Sequence, residues 1–267
     1  VGLAASPGTT VVIACRSQER GERLAESIVA EAGEGAQVVV ELVDLDSPES
    51  VRQFAARVLE RFPQIDVLVN SASVVPQSRE ISRETGLEMQ FQVNVLAYLL
   101  LMTELHPALA AAAQRAGSAR IVNVCSDLAG GLDITDLNSE TGSYDNMAVY
   151  KMTKQAERML TWEASRRFSA DAIECNACHP GVTSSELNIS LTTSLTGNPK
   201  GMTFQTPDEA AATPLRLALD ASLTGVTGRY FQVGNENATH CTFDDEAACS
   251  ALWDVCEGLL SSGGKSD

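Results

Sequence analysis

Short apolar, β-branched runs alternate along this chain with stretches of helical period. Residues 11–15 (Val-Val-Ile-Ala-Cys) have strand composition, and 19–32 carries Leu24, Ile28 and Val29 on one helical face. A second β-rich run covers 36–43. Ser47-Pro48-Glu49-Ser50 marks a helix start, with Ser47 as N-cap and Pro48 at the first helical position; that helix runs to about Phe62, ahead of Pro63. Residues 65–70 form a third strand. A long helical stretch over 84–113, interrupted near Pro107, leads to a fourth strand at 120–125. A helix over 146–168 precedes a fifth strand at 173–178, which Pro180-Gly181 ends. A Pro-initiated helix at 207–221, a sixth strand at 228–233 and a terminal helix at 244–260 complete the pattern. Strands alternating with long helices predict βαβ units, hence an α/β fold with a doubly wound parallel sheet, right-handed crossovers and helices on both faces. No internal repeat or low-complexity linker divides the chain, so residues 1–267 read as one domain.

Composition narrows the function classes. The chain has 267 residues and a formal charge of −16. Such a field repels phosphate backbones and anionic lipid, which argues against nucleic-acid and membrane-surface binding. A small anionic cofactor stays compatible, because a local Arg or a helix N-terminus can hold it. The seven cysteines are an odd number, and several stand in apolar runs. A disulfide scaffold does not fit that pattern; a reducing compartment does, and with no secretory signal visible the expected location is the cytoplasm. The apolar stretch over 95–113 is broken by Glu104, His106 and Pro107, too early for the roughly 20 residues of a membrane span.

The strongest chemical signal is Tyr150-Lys151-Met152-Thr153-Lys154. Positions i and i+4 share a helix face, so an ammonium sits beside a phenol. A free tyrosine, with a pKa near 10, is a poor proton carrier at neutral pH, and a neighbouring cation brings it toward working range. The motif alone also fits an ordinary surface Tyr and Lys. Its context is a buried strand ending in Ser126 and followed by glycines, and ligands of parallel α/β sheets bind at the carboxyl ends of strands. Asn70-Ser71-Ala72-Ser73, Asn94-Val95-Leu96-Ala97 and Pro180-Gly181-Val182-Thr183 stand around it in order.

With these motifs the chain resembles the short-chain dehydrogenase/reductase family, which has a Rossmann-like sheet, over almost its whole length from about Val11. The segments Ile13-Ala14-Cys15-Arg16-Ser17 and Arg229-Tyr230-Phe231, and the acidic terminal helix with Leu252-Trp253, resemble its retinol-dehydrogenase-like subgroup. The resemblance implies Tyr150 as the acid/base that exchanges a proton with the substrate oxygen. It implies Lys154 as the group that lowers the Tyr150 pKa and binds the nicotinamide ribose. Ser126 orients the substrate carbonyl, and Asn94 holds a water in a proton relay. Thr183, after Pro180 and Gly181, meets the carboxamide; Asn70 and Ala72 belong to a cofactor-side motif; Asp44 contacts the adenine. Arg16 stands where an acidic residue would select NAD, and an Arg suits the 2′-phosphate, so the implied cofactor is NADP(H) rather than NAD(H). The apolar residues Leu187, Ile189, Leu191, Leu195, Met202 and Phe204 match the family's substrate lid and imply a hydrophobic alcohol or carbonyl substrate. Family dimers imply a homodimer through the apolar helices.

The chain also departs from the family. No strand followed by Thr-Gly-x-x-x-Gly-x-Gly precedes Val11; residues 1–5 resemble only the stub of chain after the last glycine. The expectation is an N-terminally truncated domain lacking a central strand and the pyrophosphate loop. A non-catalytic remnant acting through protein contacts is the alternative to an enzyme. Ser73 and Ala97 replace family glycines. Cys175-Asn176-Ala177-Cys178-His179 fits a haem-attachment pattern, but strand alternation directs the two cysteines to opposite faces, so no metal is expected.

Overall fold

The structure, a computed structural model, describes residues 1–33, 35–183, 204–232 and 243–261. Its strands are all parallel: β1 (Thr10–Cys15), β2 (Gln37–Leu42), β3 (Val67–Asn70), β4 (Ala119–Val124), β5 (Ile173–Cys178) and β6 (Arg229–Phe231). The α-helices are α1 (Gln18–Ala32), α2 (Pro48–Arg61), α3 (Ala97–Glu104), α4 (His106–Ala116), α5 (Asn146–Arg167), α6 (Pro207–Leu219) and α7 (Glu246–Ser261).

Local chemistry sets the helix starts. Ser17 accepts from the Arg20 N–H at 3.3 Å, and Ser47 from that of Ser50 at 3.0 Å with Pro48 following. Asp145 caps α5, accepting from Met147 and Ala148 at 2.9 and 3.1 Å. Thr206 and Glu209 close a capping box on α6. The helical stretch predicted over 84–113 with an interruption near Pro107 does break there, α4 following α3 beyond a 54° bend, and it begins with a π-helical turn at Phe91–Leu96. The bend puts Pro107 in the first turn of α4, where its missing N–H costs nothing. No single helix among the described residues is long and apolar enough to cross a membrane; α3 is buried in the protein instead.

The ladder runs β3-β4-β5-β6 in one sheet and β1-β2 in another. Among the described residues β1 and β3 are not hydrogen-bonded to each other. Burial follows this split. Every residue of β5 is buried, whereas none of β1 or β2 is. The β1-β2 pair packs on α1 at close quarters: a Cβ on Gly21 would come within 2.7 Å of the Cys15 sulfur and 2.5 Å of Val40. Across the larger sheet, alternation divides the core. Ile121, Cys175 and Ala177 face the main cluster with α3, α4, α5 and α7, while Val122, Cys178 and Phe231 face α6. Cys175 and Cys178 thus lie on opposite faces, as strand alternation requires.

Amide hydrogen exchange should register this asymmetry. The β1 and β2 amides, on a single half-buried ladder, are expected to exchange before those of β4 and β5 in native-state exchange measurements. Equal protection in the two sheets would show that their separation has no energetic consequence.

Candidate active site

The carboxyl ends of the strands converge on the N-terminal half of α5. Tyr150 and Lys154 lie one turn apart on its inward face, 5% and 2% exposed. The Lys154 ammonium is 5.4 Å from the centroid of the Tyr150 ring. Ser126, two residues beyond β4, is also buried, and its hydroxyl lies close enough to Tyr150 to pull the phenol down. Met147, Val75 and Leu128 form an apolar patch around the phenol. The predicted Tyr150, Lys154 and Ser126 are therefore brought together.

Charges around this trio are unequal. Burial pushes the Tyr150 phenol above its ordinary value, against Lys154 and the Ser126 hydroxyl, which pull it down. Burial, the largest single influence, works against the charge of Lys154, but Glu157, Tyr150 and Cys125 together outweigh it and hold the ammonium above the usual lysine range. Lys154 Nζ donates to Glu157 Oε1 at 2.6 Å, and both side chains are almost fully buried. Arg158 donates to the Ser126 carbonyl and stacks on Tyr230, with its guanidinium carbon 3.6 Å from the ring centroid. Asp127 accepts from the Tyr230 hydroxyl at 2.5 Å and from Gln232 at 2.8 Å, and His179 stands 3.7 Å away. Burial keeps His179 below the ordinary imidazole value despite Asp127.

The sequence reading gives no site role to Glu157, Arg158, Asp127, His179 or Tyr230, although His179 and Tyr230 stand in segments it names. The one available signal was spacing: Glu157 follows Lys154 by three positions, so both occupy one helix face.

Other predicted residues are distributed around the strand ends. Asn94 sits in the π-helical turn, a feature frequent at functional sites. Its amide accepts from the Val74 N–H at 2.9 Å and donates to the Val74 carbonyl at 3.1 Å, and it reaches Thr153 at 3.4 Å. The Asn70 side chain points into the core. It donates to Asn123 at 2.9 Å, and Asn123 donates to Thr161 at 2.9 Å, which ties β3 and β4 to α5. The Ala72 carbonyl accepts from the Tyr98 hydroxyl at 2.8 Å. Pro180 and Thr183, with Ser71 and residues of α6, line an apolar cleft of about 370 Å³. Gly181 adopts φ 92°, a left-handed conformation that favours glycine. Arg16 follows β1 and Asp44 follows β2, both exposed. Of the expected lid, Phe204 is described; 187–202 lies outside the described residues.

Comparison with known proteins shows the family. The short chain dehydrogenase family model matches residues 2–196. The chain belongs to that family. Mouse retinol dehydrogenase 13 is 34% identical over 258 residues, 93% of this chain and 75% of its own length. A probable oxidoreductase of Streptomyces antibioticus is 35% identical over 247 residues, 88% of this chain and 80% of its own. An uncharacterised Mycobacterium paratuberculosis protein shares the fold, with a TM-score of 0.72 at 24% identity over 98% of this chain and 90% of that one. The protein is thus a retinol-dehydrogenase-like member of an oxidoreductase family whose fold binds a nicotinamide dinucleotide.

The Asn70–Asn123–Thr161 chain generates a stability prediction. Asn70→Ala leaves the buried Asn123 carbonyl without its donor and should destabilise the protein by about 1–3 kcal/mol. Urea unfolding with unchanged m-value checks this; a loss under about 0.5 kcal/mol would remove Asn70 from the structural role.

Proposed function

We propose that this protein is an NADP(H)-dependent oxidoreductase that interconverts an alcohol and a carbonyl on a hydrophobic small molecule. The observation that carries the reading is the buried Tyr150–Lys154 pair, with the buried Ser126 beside it at the carboxyl end of β4. The cofactor's fit is tested by buried polar atoms along the same edge. Ser73 Oγ, His179 Nδ1 and Gln205 Oε1 have no hydrogen-bond partner among the described residues. A nicotinamide–ribose unit offers the donors and acceptors such atoms lack. Thr183 and Pro180 would hold the carboxamide side, Lys154 the ribose, Asp44 the adenine and Arg16 the 2′-phosphate, with Asn70 and Ala72 in the adenosine-side turn.

The bound nicotinamide supplies or accepts the hydride. This chain's own residues manage the proton and the orientation. Ser126 Oγ fixes the carbonyl oxygen next to Tyr150 Oη. The phenol donates its proton to that oxygen in reduction and removes it from the alcohol in oxidation. Lys154 stabilises the phenolate that reduction leaves, and Asn94, beside Thr153, would seat the water that restores the proton. Met147, Val75 and Leu128 offer the substrate an apolar wall, which supports a hydrophobic substrate over a polar one.

One observation favours a second, non-catalytic reading: β1 and β3 each have a ladder on one edge only among the described residues, and free edges accept strands from partners. Tyr150→Phe separates the two. As an enzyme, the protein should lose roughly 10²–10⁴-fold in turnover of all-trans-retinal while NADPH binding, followed by fluorescence, persists. Failure of the parent to bind NADPH would decide for the non-catalytic reading, and retained turnover above a tenth of the parent would remove Tyr150 from its role. Cofactor choice is tested at Arg16. Arg16→Asp should shift kcat/KM from NADPH toward NADH, because it replaces the cation facing the phosphate by a repelling carboxylate. Equal use of both cofactors by the parent would refute the charge argument.

A further inference from the structure

The residue that the arrangement leaves unexplained is Glu157. A fully buried carboxylate is expensive unless it is paired, and its partner is the one lysine on which the site depends. Lys154 Nζ has three hydrogens to donate. One is taken by Glu157 Oε1 at 2.6 Å. The second carboxylate oxygen, Oε2, has no partner among the described residues. Burial raises the Glu157 carboxyl, Lys154 and Arg158 pull it back down, and its charge acts on both Lys154 and Tyr150.

We propose that Glu157 is a positioning residue: it holds Lys154 in its cationic form inside the protein and keeps the Tyr150 phenol protonated, which suits the site to donating a proton, that is, to carbonyl reduction. This deepens the oxidoreductase reading and rests on it. The electrostatic sign is simple. A negative charge favours the protonated form of every group near it, so Glu157 raises both the lysine and the tyrosine. Lys154 without Glu157 would put an uncompensated cation beside the phenol and pull its proton off at lower pH. With Glu157 the lysine–glutamate pair is neutral as a unit. In reduction, the carbonyl carbon gains the hydride and the carbonyl oxygen gains the Tyr150 proton. The resulting phenolate is stabilised by Lys154 and is then reprotonated from water. In oxidation the phenolate must exist beforehand, and Glu157 opposes that.

Other groups face this cluster. Tyr98 approaches from α3, Cys125 and Asp127 from the turn after β4, Arg158 from α5, Cys178 and His179 from the end of β5, and Tyr230 from β6. Burial pushes Cys125, Cys178, Tyr98 and Tyr230 up, so these stay neutral in the working range. Arg158 is the second cation at the site. It is engaged by the Ser126 carbonyl and lies 3.9 Å from Asp127, which leaves Glu157 as the counter-charge hydrogen-bonded to Lys154.

The test reads protonation directly and needs no turnover. The full chain is labelled with [13Cζ]tyrosine and [13Cε]lysine and titrated by NMR, with Tyr150→Phe and Lys154→Met assigning the two signals. The Tyr150–Lys154 pair in Glu157→Gln should lose its first proton about one pH unit lower than in the parent. Glu157→Asp, which keeps the charge, should restore most of the difference. Coincident titrations of parent and Glu157→Gln would overturn the proposal, as would a Glu157→Asp protein that behaves like Glu157→Gln. Should Glu157→Gln fail to fold, the parent still decides: Lys154 is expected to keep its proton throughout the neutral range, and its loss there would refute the role given to Glu157. A parent that turns over no retinal with NADPH would count against the oxidoreductase reading, whereas these titrations would still decide the part played by Glu157.

Discussion

A cation held inside a protein needs a counter-charge, and much of the geometry around α5 answers to that requirement. Lys154 is inside because the helix that carries it is buried along most of its length, from Met147 to Ala164. That burial is what gives the ammonium its effect, since a charge screened by water would hardly move a neighbouring phenol. It also demands Glu157 on the next turn. The same demand is met for Arg158 by the Ser126 carbonyl, the face of Tyr230 and Asp127. Two cations thus enter the core from one helix, each with its own partners, and the residues that satisfy them also orient Ser126 and the turn after β4.

The sheet delivers the rest. Parallel strands end on one edge, so the turn after each strand comes to a common side. Asn70 to Ser73, Ser126 and Pro180 to Thr183 follow β3, β4 and β5 in turn, and β4 and β5 are long and fully paired. The Asn70–Asn123–Thr161 chain couples that edge to α5 through buried hydrogen bonds. Such interior bonds are worth little individually but are costly to break one-sidedly, and that makes the spacing between strand ends and helix rigid. Arg16 and Asp44 stand on the other, smaller sheet, which is half-buried and held mainly by α1 and α2.

The π-helical turn at Phe91–Leu96 connects these layers. It widens the helix by one residue where Asn94 must reach Val74 on one side and Thr153 on the other.

Secondary structure and family were legible in the chain itself because both rest on local or linear information. Strand and helix periods, Ser47-Pro48 and Pro207 at helix starts, and Tyr-x-x-x-Lys on one helix face depend on residues a few positions apart. Alternation alone sent Cys175 and Cys178 to opposite faces, and each lies in a different part of the core. The break near Pro107 was legible too; the π turn at Phe91–Leu96 was not, because a π turn has no distinctive composition. Nor were Asp127, His179 and Tyr230, which come from three separate strand ends and meet only when the sheet forms. Asn70 shows the limit of motif reading: its motif assigns it to the cofactor side, and only the packed structure turns its side chain inward to Asn123. Glu157 shows the same limit from the other direction. Its spacing from Lys154 was visible, but whether an i, i+3 ion pair is a solvated surface contact or a buried charge pair is decided by burial, and burial belongs to the tertiary fold.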